Sequence, residues 1–186
     1  GSYASEQEFR YVTVEDGSYN LNQPVVINVR YHDDSPNDPS SAYLYRGTTS
    51  VGKRSGDAMP VNSNLIRDIN KTATNRANTL TIKAGNSIAK PWLHHIVIRN
   101  SKNIVLDSLC IYSDPNGVGD NAIEMDINVA DAGGGWNDAI AKGFFTDANI
   151  LVQNCMIGSD GFTGAHLSNY DGVTFKNNDF EIIAGD

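Results

Sequence analysis

The chain has 186 residues, enough for one domain that buries roughly 70% of its unfolded surface. Seventeen glycines and a formal charge of −8 point to a turn-rich fold and argue against a general nucleic-acid binder, which needs clustered Lys and Arg. No apolar run approaches the ~20 residues of a membrane helix, and two cysteines outside any Cys-x-x-Cys pair are too few for a disulfide scaffold. The opening GSYASEQEFR has neither the basic start nor the apolar core of a signal peptide.

From Arg10, RYVTVEDGSYNLNQPVVINV reads as strand, turn at Asp16-Gly17 and strand, a phrase suited to capping the start of a stack. The stretch from about Tyr31 to Asn78 is irregular, with Pro, Asp and Ser prominent in HDDSPNDPSSAYLYRG. Within it, Asn62 or Ser63 is a candidate cap for a short helix around Leu65 to Ile69. NTLTIKAGN, from Asn78, returns to strand alternation.

Three later phrases align without gaps: NIVLDSLCI from Asn103, NILVQNCMI from Asn149 and GVTFKNNDF from Gly172. Period-two alternation turns Ile104 and Leu106, Ile150 and Val152, Val173 and Phe175 to one side. Ser108, Asn154 and Asn177 then mark a turn and are expected to stack as an asparagine-type ladder. Ile111, Ile157 and Phe180 point inward again. A second strand precedes each phrase: IVIRN from Ile96, AIEMD from Ala122 and AHLSN from Ala165. Such two-strand units fit rungs of a parallel solenoid, in which like residues of successive turns lie over one another. An antiparallel sandwich is the alternative.

Ile104 to Ile150 spans 46 residues against 23 from Ile150 to Val173, so one rung carries a long insertion at about 127–147. The predicted fold is all-β: one solenoid domain over 1–186, with an N-terminal strand, cap and loop region over 1–78 and stacked rungs over 79–186. The register places Cys155 inward, equivalent to Leu109, and Cys110 outward, so no disulfide joins them.

From Trp92 to Phe180, the order HHIVIRNSKNIVLDSLCI, GDNAIEMD, ANILVQNCMI, SDG and DGVTFKNNDF resembles the right-handed parallel β-helix proteins of the pectate-lyase-like superfamily. The resemblance implies a polysaccharide partner, an extracellular or cell-surface location and calcium-assisted β-elimination from an acidic polysaccharide. Asp120 matches an acidic position of the family. Gln153-Asn154 stands where pectate lyases carry an Asp-His pair, and Asp186 precedes the rung that usually bears the family's catalytic arginine. Paired aspartates of the polygalacturonase type are not seen, since GSDG offers only Asp160.

The ladder also yields a site of its own. With Ile96, Ile123 and Ala165 in one column, Val97, Glu124 and His166 form the next outward ladder, and Arg99, Asp126 and Ser168 another. Arg99, Glu124, Asp126 and His166 thus share one face and are the candidate catalytic groups, able to hold a cation or act as acid and base on a sugar. Asp120, Glu124 and Asp126 are the candidate calcium ligands. Trp136, in the GGGW of the insertion, is a candidate platform for a sugar ring. A surface ion-pair network is the plainer reading of the same charges. His94-His95 lacks a third ligand for zinc.

Two functions follow: an enzyme acting on polysaccharide, or a non-catalytic β-helix that binds glycan or serves adhesion and structure. Ice binding would want regular outward threonines, and the outward columns are mixed. EIIAGD is too short to cap the last rung, so either further rungs or an end-to-end partner is expected there.

Overall fold

In a computed structural model of the chain, residues 20–29, 64–85, 90, 92–112, 121–127, 147–159 and 163–183 are described. Three separate sheets contain their strands, and every neighbouring pair runs parallel. The five-stranded sheet orders β1 (Val25–Val29), β3 (Leu80–Ala84), β6 (Ile104–Asp107), β9 (Ile150–Gln153) and β12 (Val173–Lys176). A second holds β4 (Trp92–His94), β7 (Cys110–Tyr112), β10 (Met156–Ser159) and β13 (Asp179–Ile183). The third, called here the Arg99 sheet, holds β2 (Asn64–Arg67), β5 (Ile96–Arg99), β8 (Ile123–Asp126) and β11 (Ala165–Leu167). From β2 onward the chain visits the Arg99 sheet, the five-stranded sheet and the second sheet in fixed rotation. The described residues are all-β and contain no helix.

The repeated phrases pair in the expected register. Ile104 lies against Ile150 and Ile150 against Val173, while Ile157 lies between Ile111 and Phe180. Inward columns from all three sheets merge into one hydrophobic cluster that includes Ile66, Ile82, Leu93, Ile98, Leu106, Ile111, Met125 and Val152. Both cysteines are free and buried. Cys110, expected outward, is nevertheless only 5% exposed. Burial pushes both thiols up to about 11, so neither is a thiolate nucleophile at neutral pH.

Corners explain the polar composition. After the Arg99 sheet, Asp68, Asn100 and Asn169 have φ of 58°, 50° and 58°. Before the five-stranded sheet come Asn103, Asn149 and Gly172 at 56°, 54° and 86°, and after it Ser108, Asn154 and Asn177 at 58°, 55° and 54°. The left-handed region is costly for most side chains but tolerated by Asn, Asp and Gly. Ser108, Asn154 and Asn177 thus share a corner column, with Ser108 N–H donating to Gln153 O and Asn154 N–H to Lys176 O. The expected side-chain ladder is not formed there, because Ser108 Oγ and Asn154 Nδ2 both donate to Asp107. The amide-to-amide rung lies one corner earlier, where Asn149 Nδ2 donates to Asn103 Oδ1 at 2.9 Å.

The helix expected over Leu65 to Ile69 is absent; β2 occupies Asn64–Arg67 and pairs with β5. Ile66 fits the inward column against Ile98 at 1% exposure, and this tertiary burial outweighs a weak local helix preference. Asp68 and Asn70, both with positive φ, then end the strand. Pairing also begins before residue 79, since β1 lies against β3 and β2 against β5. The strand expected from Arg10 lies outside the described residues, as does most of the irregular stretch to residue 63.

Asn70 ties the early chain to the stack. Fully buried, its Oδ1 accepts from Leu21 N–H at 2.8 Å, and its Nδ2 donates to Asn78 O and Lys102 O. In return Asn78 Nδ2 donates to Leu21 O. Leaving several buried backbone groups unpaired is costly. Asn70→Ala is expected to lower unfolding free energy by about 2–4 kcal/mol in urea titrations; a loss under about 0.5 kcal/mol would contradict the role given to this side chain.

Candidate functional site

Three strands of the Arg99 sheet bring the expected charges together. Arg99 lies opposite Asp126 across β5 and β8, and Glu124 lies opposite Val97 on one side and His166 on the other. Glu124 and Asp126 are two residues apart on one strand, so both project to the same outward face while Met125 fills the core. The Arg99 guanidinium grips Asp126 with both ends, Nε donating to Oδ1 and Nη2 to Oδ2, each at 2.6 Å. Arg67 continues the column below Arg99 and stands 3.4 Å from Asp68 Oδ2. His166 is exposed, and among the described residues no hydrogen bond joins it to Glu124.

This face is recessed. Val97 is outward by alternation yet fully buried, and Asp126 is only 7% exposed. An open ion-pair network therefore describes the face poorly, because its charges are largely removed from water. Burial pushes the Asp126 carboxyl above its ordinary range, with the Arg99 guanidinium working against the shift. Glu124 moves the other way: its hydrogen bond to His95 holds it below the usual range against the opposing effect of burial. Two neighbouring carboxyls thus have acidities driven apart, the arrangement that suits an acid and a base.

His95 is the group that sequence reasoning missed in this role. Its ring is completely buried, with Nε2 3.3 Å from Glu124 Oε2. It sits at the corner between β4 and β5 with φ of 27°. Extending the alternation of β5 back by one step puts positions 95, 97 and 99 on one side, so the signal was present. Asn121, also buried, lies near Glu124 and helps to hold its carboxyl below the usual range. Trp136 and Asp120 lie outside the described residues, as does most of the 127–147 insertion. Among the described residues, no group of three His, Cys, Asp or Glu side chains is arranged to hold a metal ion.

Gln153-Asn154, the departure from the pectate-lyase pattern, has a local role on the five-stranded sheet. Gln153 Nε2 donates to Asp107 Oδ2 at 2.8 Å, and Asn154 Nδ2 donates to Asp107 Oδ1 at 3.1 Å. Ser108 Oγ donates to Oδ1 as well. Burial raises the Asp107 carboxyl, but these three donors and the nearby Lys83 charge outweigh it and leave it below its ordinary value.

Compared with family models, with curated proteins and with solved structures, the chain finds no match. No helix among the described residues is long and apolar enough to cross a membrane.

Removing one partner of a buried ion pair strands the other charge. Arg99→Ala is expected to cost about 3–5 kcal/mol of stability by denaturant titration, and Arg99→Met with Asp126→Leu much less. A double variant as unstable as the single one would show that packing, not the stranded carboxylate, sets the cost. Asp107 gives a pH signature. Its folded-state pKa is depressed, so its contribution is present above the unfolded value and is lost as pH falls through the folded one. Stability should therefore drop below about pH 4, and Asp107→Asn should flatten that part of the profile. An unchanged slope in the variant would remove Asp107 as its source.

Proposed function

We propose that the three parallel sheets wind as a right-handed β-helix of the pectate-lyase-like kind, and that the outward Arg99 sheet engages an acidic polysaccharide and cleaves it by β-elimination. The observation that carries this reading is the recessed pair Glu124 and Asp126, two residues apart on one strand, one against the buried His95 ring and the other clasped by Arg99. β-Elimination needs a base for the proton α to the uronate carboxyl, a positive group at that carboxylate, and a proton for the leaving oxygen. Glu124 serves as the base, Arg99 as the positive group, and Asp126, once substrate draws the guanidinium away and the carboxylate takes a proton from water, as the proton donor to the leaving oxygen. The C–H bond at the α-carbon and the adjacent C–O bond break, a C=C bond forms, and the leaving oxygen gains a proton. His166, exposed beside Glu124 in register, is a further contact for the sugar. Trp136 remains the expected stacking platform.

The described carboxylates offer calcium a poor seat. Both oxygens of Asp126 accept from Arg99, and Glu124 Oε2 faces His95. The neutralising role is therefore given to Arg99, and calcium enters only as an arm of the test. A non-catalytic glycan-binding module is the second reading, favoured by the same contacts: Arg99 is committed to Asp126 and Glu124 to His95.

The test is incubation of the full chain with pectate and alginate, with calcium or with EDTA, while following absorbance of the unsaturated product. Turnover should appear, and Glu124→Gln, which keeps the side-chain shape, should slow it about 10²–10⁴-fold. EDTA sensitivity would return calcium to the site. Glycan retention without product supports the binding module, and neither retention nor product overturns both readings.

A further inference from the structure

The two ends of the strand stack differ. At the end formed by β1, β2 and β4, the inward residues Ile66 and Leu93 are each 1% exposed, while Val25 and Ile27 on β1 are half-buried. At the end formed by β11, β12 and β13, the inward columns finish on Leu167 at 38% and Phe180 at 51% exposure. Val173 and Phe175 on β12 are likewise only half-buried. The Phe175 and Phe180 rings lie 6.2 Å apart at this surface. Among the described residues, each of β11, β12 and β13 is the last strand of its sheet, and all three lie at the same end. Open strand edges backed by exposed aromatic side chains favour association.

The sequence around the last corner fits one occupant. We propose that this end docks onto the same end of a second copy, through a two-fold axis passing between Asn177 and Asn178. Such an axis exchanges β12 with β13 of the partner and runs the facing strands antiparallel. It sets Lys176 opposite the partner's Asp179, Phe175 opposite the partner's Phe180, and Thr174 opposite the partner's Glu181. Lys176 and Asp179 are both exposed, so a cation meets an anion twice across the axis. The inward phenylalanines meet each other, closing the bare cross-section of the core. β11 meets its own copy. A growing head-to-tail fibre is not expected, because at the opposite end the inward Ile66 and Leu93 are buried and offer no counterpart to Phe180 and Leu167. The inference rests on strand order, exposure and charge, and on none of the glycan chemistry.

Sedimentation velocity of the full chain at micromolar concentration should show a dimer. Phe180→Asp should give a monomer with unchanged far-UV circular dichroism. Lys176→Asp and Asp179→Lys each place like charges opposite one another twice, and each should raise the dimer dissociation constant about tenfold or more. An equimolar mixture of those two variants restores both opposite-charge pairs in the mixed species, and should re-form the dimer. A monomer for the unsubstituted chain would overturn the proposal, as would species growing beyond a dimer or a mixture of the two variants that stays apart.

Discussion

Parallel strands of three to five residues, laid over one another in register, force the chain to turn a corner after each strand without losing step with the pass below. That constraint governs most of what is distinctive here. Most of these corners use backbone in the left-handed region, and they repeat in columns because each pass turns where its neighbour turns, Thr79 and Ile127 being among the exceptions. Asn, Asp, Ser and Gly fill those columns at 68/100/169, 103/149/172 and 108/154/177. The gain is cooperative: cross-pass backbone bonds at the corners, such as Ser108 N–H to Gln153 O, satisfy polar groups that would otherwise be orphaned near the core. Gly172 shows the limit of the rule, since a side chain there would approach Ala148 N to 2.9 Å as well as face an unfavourable φ of 86°.

The inward half of this architecture was legible in the sequence because it repeats. Ile104, Ile150 and Val173 could be aligned from spacing alone, and they pair. The outward half was legible only as far as parity extends: Arg99, Glu124 and Asp126 were placed on one face, whereas His95 was overlooked because it belongs to a corner and not to a strand. Leu65 to Ile69 was misread for a related reason. A four-residue strand bounded by Asp68 and Asn70 carries little local pattern, and its identity comes from β5 beside it. Burial of the outward face had no sequence signal at all, since alternation predicts direction and not coverage.

That coverage changes how the charges should be understood. An exposed Arg–carboxylate pair adds little stability, and a buried one commonly does no better than an apolar replacement. Arg99 and Asp126 are therefore weakly explained as stabilisers, despite two bonds of 2.6 Å. By contrast, Asp107 on the five-stranded sheet is held by neutral amides and a hydroxyl, a structural arrangement that costs less desolvation. The same protein thus holds Asp107 with neutral donors and Asp126 with a largely buried guanidinium.

Position within the stack strengthens the distinction. β8 has a neighbour on each side, β5 and β11, so Glu124 is fixed by ladders on both sides and Asp126 by the ladder to β5. His95 adds a third restraint from the corner that precedes β5. A site needing carboxyls at fixed separation benefits from such an interior strand, where a shift of one side chain would require two registers to slip together. Among the described residues the strands at one end lack that support: Leu167 and Phe180 continue buried columns into exposure. Restraint in the middle and exposed apolar surface at one end are thus consequences of the same stacking geometry.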